Sequence, residues 1–286
     1  MPKKGSRLSW LRAPRAESPD GTMSLVDHLR ELRYRFLMAM IGVLAVTIVA
    51  LFFQTQLLGI VRWPIDQAVI IFNETRPGDR VEMVTQGVTA GFSLYFRVAF
   101  VAGLIAACPV WLFHLWRFIV PALGESARRT ARQFLYAAIP LFLAGVLMGY
   151  AICPRGFAML LNFNPPSVTN LNDMGTFMSF ELRLLLVFGI AFQLPVLLVS
   201  LNRLGIVSGQ MLGKFRGPAV VLCAIFSAIA TPTADALTML ALMIPMVAMY
   251  EIAEVLCRIN DRRRAAREAG IEPTPSRFSR KSRDDS

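Results

Sequence analysis

The stretch Met23-Ser-Leu-Val-Asp-His-Leu-Arg-Glu-Leu-Arg-Tyr-Arg-Phe36 runs without a break into an apolar segment over residues 37–53. Ser24 followed three residues later by Asp27 has the form of a capping box, because the serine oxygen and the carboxylate can take up the free amide donors of a first helical turn. This predicts a helix that begins in water. Leu25, Leu29, Leu32 and Phe36 fall on one stripe at helical spacing, and Asp27, Glu31 and Arg35 recur every four residues on another. Asp27 and Glu31, one turn apart, repel each other unless a cation lies between or beside them. Two readings fit this face. It is either a solvated helix surface or a carboxylate pair held at a membrane surface to receive a basic ligand, since a guanidinium fork matches a carboxylate in bidentate fashion.

Working outward, 55% of the 286 residues are apolar and 17% are charged. A soluble domain carries about a quarter charged residues, so the composition points to an all-α polytopic membrane protein. The net charge is +11, but the basic residues lie at the two ends and in short inter-helix stretches. No aromatic-interleaved basic domain is present, so nucleic acid is not an expected partner. Cys108, Cys153, Cys223 and Cys257 fall in or beside apolar segments without metal-site spacing, and read as small buried hydrophobes. The first apolar run begins after residue 35, lacks a small-residue cleavage site and is long enough to span, so it reads as a resident helix and not a signal peptide.

The expected organisation is a basic tail over residues 1–22, a six-span membrane domain over 23–257 and a second polar, basic tail over 258–286. Spans are expected at 36–53, 92–116, 134–153 (with Pro140 inside), 177–201 (interrupted by Gln193 and Pro195), 217–231 and 236–250. Between the first two lies a polar stretch of residues 54–90, read as an ordered outer cap. The last two apolar segments, 15 residues each, amount to about 22 Å of helix against a hydrocarbon core of roughly 30 Å. Thr231, Pro232 and Asp235 form the tight outer turn between them, with Asp235 placed to cap the last helix. Six spans put both termini on one side. Eight Lys and Arg before residue 36, four between the second and third spans, three between the fourth and fifth and nine from Arg258 onward share that side, against four opposite. By the positive-inside rule both ends are cytoplasmic.

On that cytoplasmic side, Asp27, Glu31 and Glu125 could form an acidic spot on an otherwise basic face, selective for a cationic peptide; equally, Glu125 could pair with Arg128 or Arg129 on its own turn. Within the spans, Arg97 and Glu181 share a depth. An interhelical ion pair or shared polar cluster is expected there, with Arg183 nearby. Gln193, mid-span before Pro195, could hydrogen-bond a partner helix or a passing segment. His114 reads as an interface histidine, and Gly145 and Gly149 as a close helix contact. The chain contains no His-Glu-x-x-His, Gly-x-Ser-x-Gly or phosphate-binding glycine loop, so no enzyme, metal or cofactor is expected. A permease in which Arg97, Glu181, Arg183 and Gln193 line a midplane path is the alternative; its sign, an inverted repeat with paired broken helices, is not evident.

His28-Leu29-Arg30-Glu31-Leu32-Arg33 resembles the His-Leu-x-Glu-Leu-Arg signature of TatC, the multispanning receptor of the twin-arginine protein translocase. The resemblance extends to Ala107-Cys-Pro109, Trp116-Arg-Phe-Ile-Val-Pro-Ala-Leu123, Phe188-Gly-Ile-Ala-Phe-Gln-Leu-Pro195, Thr231-Pro-Thr-Ala-Asp235, Ile244-Pro245 and Tyr250-Glu251. It covers roughly residues 24–257. It implies a cupped, concave bundle of six spans in the bacterial cytoplasmic membrane that thins the bilayer, and transport driven by the proton gradient. It also implies assembly with single-span TatA and TatB-like subunits, as a homo-oligomer within the complex and among membrane lipids. The twin-arginine signal peptides of folded substrates would bind at Glu31, with Arg33, Phe118, Pro121 and Leu123 shaping the site and Asp27, His28 and Glu125 beside it. Two departures stand out: where many relatives carry the second carboxylate this chain has Ala127, with Glu125 two residues earlier, and Gln193 replaces a membrane-embedded glutamate found in some relatives.

Overall fold

The computed structural model describes residues 25–77, 79, 81–119, 127–163, 165, 170–230 and 236–269. Helix α1 spans Leu25–Phe52, and after Phe53 the chain enters α2, Gln54–Thr75. Strand β1 (Val81–Val84) leads to α3 (Ala90–Ala106) and α4 (Cys108–Ile119). Helix α5 is Ala127–Asn162 and β2 is Asn170–Asp173. They are followed by α6 (Met174–Ala191), α7 (Leu194–Arg203), α8 (Gly209–Lys214), α9 (Arg216–Ala230) and α10 (Ala236–Glu268).

Among the described residues, four helical runs are long and apolar enough to cross a bilayer: Leu29–Phe52, Phe134–Asn162, Met174–Arg203 and Thr238–Glu268. The pair α3–α4 makes a fifth if read as one span. That pair corrects the expected single helix over 92–116, for the axis turns by 57° between Ala106 and Cys108. Pro109 has no amide to give to Ile105 and its ring crowds that turn, so the chain breaks there. A comparable proline effect divides α6 from α7 at Gln193, with Pro195 in the first turn of α7.

The largest departure from expectation lies in residues 54–75. The sequence there reads as polar cap, yet it is a helix whose Val61, Ile65, Ala68 and Phe72 are buried against α5 and α3. Tyr150 of α5 donates to the Ile60 carbonyl at 2.8 Å and stacks on Trp63 with ring centroids 5.7 Å apart. Beyond α2, β1 and β2 pair in parallel from Val81↔Asn170 to Val84↔Asp173. The Arg76 guanidinium donates to the Asn162 carbonyl at 2.8 Å. These contacts tie the carboxyl-terminal ends of α2 and α5 to the strand pair.

Helix crossings are close where small residues allow it. A side chain at Gly103 would meet the Thr47 backbone at 2.8 Å, and one at Gly145 would meet the Phe188 carbonyl at 2.5 Å. The Gly145/Gly149 spacing thus brings α5 against α6. The main core joins α2, α3, α5 and α6 around Ile65, Phe157, Met178 and Phe188. All four cysteines are buried free thiols.

The final pair also differs from the expected two short helices. Helix α9 has 15 residues, but α10 has 33, because its apolar part continues without interruption into a charged extension. Glu254, 0% exposed, accepts from Arg216 Nε at 2.6 Å and Nη2 at 3.0 Å and pairs with Arg258 at 2.7 Å. Asp261 accepts from the Asn202 side chain at 2.7 Å and from the Gly209 amide at 2.6 Å. This network fastens α10 to α7, α8 and α9, and keeps it helical past the end of its apolar run.

Candidate functional site

Glu31 lies near the start of α1, which packs on both α3 and α4. Leu29, Leu32 and Phe36 are exposed, whereas Glu31 is only 5% exposed. Arg35, one turn on, donates through Nε at 2.9 Å and through Nη2 to the same carboxylate oxygen, Oε1. Oε2 is buried and has no partner among the described residues. Arg35 and Arg117 both lie close enough to act electrostatically on the His114 ring, so the first turns of α1 and the last turns of α4 meet. Trp116 stacks on Phe134 at 5.6 Å, Arg117 lies 5.7 Å over Phe113 and Arg203 lies 5.1 Å over Phe134. Arg33 is exposed and Phe118 half-buried.

Chemically, one half of the Glu31 carboxylate is neutralised by its own helix and the other half is a desolvated acceptor. An ionised carboxylate offers about four lone-pair sites, so Oε2 keeps capacity for a second guanidinium. A buried acceptor left unfilled costs about 1–3 kcal/mol, which gives an incoming donor a local advantage over solvent. Reaching Oε2 requires Arg35 or the side chains covering the carboxylate to shift.

Other expected members fall differently. The side chains of Asp27 and His28, and all of Pro121, Leu123, Glu125, Thr231, Pro232 and Asp235, lie outside the described residues. The expected Arg97–Glu181 pairing is corrected. Arg97 donates to the Ser179 hydroxyl, which in turn donates to the Gly175 carbonyl. Glu181 is 0% exposed, and neither of its oxygens has a partner among the described residues. The reason is helical phase: Ser179 and Arg183, four apart, share the face toward α3, whereas Glu181 points nearly the opposite way. Gln193 donates from Nε2 to the Ala138 carbonyl at 2.9 Å, a bond within the bundle. Arg97 and Arg183 line one cavity, while Glu181 and Gln193 are packed elsewhere. The four therefore do not form a common path.

Sequence reading missed the Glu254–Arg216–Arg258 cluster. The i,i+4 spacing of Glu254 and Arg258 was a signal for it, but Arg216, 38 residues away, was not identifiable as the third member.

Comparison with known proteins gives a consistent result. The family model described as Sec-independent protein translocase protein (TatC) matches residues 27–245. The protein of that name from Rothia mucilaginosa is 34% identical over 248 residues, 86% of this chain and 83% of its own. The Aquifex aeolicus protein is 31% identical over 245 residues, 85% and 98% of the two chains. A solved structure described as the twin-arginine translocase receptor TatC superimposes with a TM-score of 0.68 at 31% identity, covering 81% of this chain and 98% of that one.

Proposed function

The chain belongs to the TatC family of Sec-independent protein translocase proteins, and from that premise we propose that it recognises twin-arginine signal peptides of folded proteins at Glu31. As a family member it is a membrane-embedded transport component and not an enzyme. In this reading, six spans (α1, α3–α4, α5, α6–α7, α9 and the apolar part of α10) cross the bacterial cytoplasmic membrane. Both termini are cytoplasmic in this reading, which the distribution of basic residues supports. The protein works with other Tat subunits, single-span TatA and TatB-like partners, in an oligomeric complex.

The observation that carries the site is the state of Glu31, with Oε1 held by Arg35 and Oε2 desolvated and without a partner among the described residues. Docking is an exchange: one substrate guanidinium takes Oε2 or displaces Arg35 from Oε1, with no net cost in ion pairs. Replacing both arginines of a signal by lysines loses the planar fork and weakens the exchange. Glu125 or Asp27 supplies the remaining negative charge, and Arg33, Phe118, Pro121 and Leu123 border the peptide.

Export of a twin-arginine reporter in cells carrying Glu31→Ala or Glu31→Gln tests the proposal. Loss of export with unchanged membrane levels of the variant is expected; normal export of the reporter would end the assignment of Glu31.

A further inference from the structure

At the opposite end of the molecule, α3, α5 and α6 enclose a cavity of about 630 Å³. Two guanidiniums reach it, Arg97 from α3 and Arg183 from α6, together with the Ser179 hydroxyl. Its apolar wall is aromatic: Phe157 packs on Phe177 and Phe180 with centroids 5.2 and 5.5 Å apart. The carboxylate in the lining is Asp173, at the mouth. It is engaged by the Thr176 amide at 2.8 Å and the Thr176 hydroxyl at 2.7 Å. Glu181 offers nothing to the cavity, being turned to the far side of α6.

Among the described residues the arginines, both exposed on their helices, are therefore undersupplied with acceptors. Arg97 has five N–H donors and bonds one hydroxyl among the described residues, and Arg183 bonds none of them. Arg97 is seven residues into α3 and Arg183 nine into α6, which places them about 10 and 14 Å below the helix starts. In the membrane topology proposed above, on which this inference rests, α3 and α6 start at the outer surface and that is the depth of lipid headgroups and upper acyl chains. Cations held at this depth in an apolar bundle call for an anionic partner.

We propose that this cavity is a binding site for an anionic phospholipid of the outer leaflet. The phosphate is clamped between Arg97 and Arg183, and an acyl chain lies along Phe157, Phe177 and Phe180. Guanidinium forks fit phosphate oxygens in bidentate fashion. The aromatic wall selects a lipid over a free anion, because inorganic phosphate would leave that wall uncovered. The inference does not depend on Glu31.

The full-length protein, extracted in mild detergent and incubated with phosphatidylglycerol, phosphatidylcholine or inorganic phosphate, provides the test by native mass spectrometry. Wild type is expected to retain phosphatidylglycerol in preference to phosphatidylcholine. Arg97→Gln/Arg183→Gln is expected to retain about tenfold less, and Arg262→Gln/Arg263→Gln, on the exposed surface of α10, to match wild type. Should the double variant not fold, Arg183→Gln alone carries the test, since it breaks no bond to a described residue. Signal-peptide binding in Arg183→Gln is expected to be unchanged. Equal retention of phosphatidylglycerol in the arginine variants, no preference over phosphatidylcholine, or displacement of the lipid by millimolar phosphate would each overturn the proposal.

Discussion

Three acidic side chains of this protein show how surroundings decide what a carboxyl group does. Asp173 sits before α6, where the Thr176 hydroxyl, its strongest partner, and the Thr176 amide hold its carboxyl below the usual range. A depressed folded-state value means the cap stabilises the fold above the unfolded value, near 3.8. That contribution is lost as pH falls through the lower folded value. Asp173→Ala is expected to cost about 1 kcal/mol near neutrality, with the difference from wild type shrinking below that point in thermal unfolding at a series of pH values. Glu254 is instead buried between two arginines. Glu254→Gln is expected to destabilise by roughly 2–3 kcal/mol and to loosen α10 from α8 and α9, measured as faster hydrogen exchange in Tyr250–Asp261. Glu181 has no hydrogen-bond or ion-pair partner among the described residues. Because an unpaired buried charge costs several kcal/mol, Glu181→Gln is expected to leave folded yield and melting temperature close to wild type. A large loss would reveal a partner for that carboxyl.

At the scale of helices, crossings are set by glycines and breaks by prolines. A Cβ at Gly145 would lie 2.5 Å from the Phe188 carbonyl, whereas one at Gly156, on the same helix, would meet nothing within 4 Å. Gly145→Ala is therefore expected to lower stability by about 1–3 kcal/mol and Gly156→Ala to leave it nearly unchanged, read from melting in detergent. The Gly-xxx-Gly pair and the break at Gln193 set by Pro195 were legible in the sequence because each acts locally. Helix α2 was less so. Its 61, 65, 68, 72 periodicity was present, but Pro64 and the neighbouring Asn, Glu and Arg residues obscured it, and burial against α5 decided the matter. The length of α10 was hidden for a similar reason. Hydropathy ends near Tyr250, while the helix persists on ion pairs to Arg216 and on Asp261 contacts that come from distant parts of the chain. The expected Arg97–Glu181 pair was right in depth and wrong in phase, since depth follows from counting residues but facing requires the packing of α3 on α6.

The molecule as a whole is polarised. One end gathers Glu31, His114, Arg117 and the Glu254 cluster among basic residues, and the other gathers α2, the two strands and the arginine-lined cavity. Between them the surfaces of the long helices are apolar and exposed, as with Ile48 at 58%, which suits a lipid environment. The account turns on a guanidinium reaching Glu31 at the basic end. The most direct measurement places a photo-crosslinking amino acid at position 31, and in a control at position 48, and adds a labelled signal peptide. An adduct at 31 that disappears when the peptide's arginine pair becomes lysine, with none at 48, is the predicted result. No adduct at 31, or one equally strong with the lysine peptide, would contradict it.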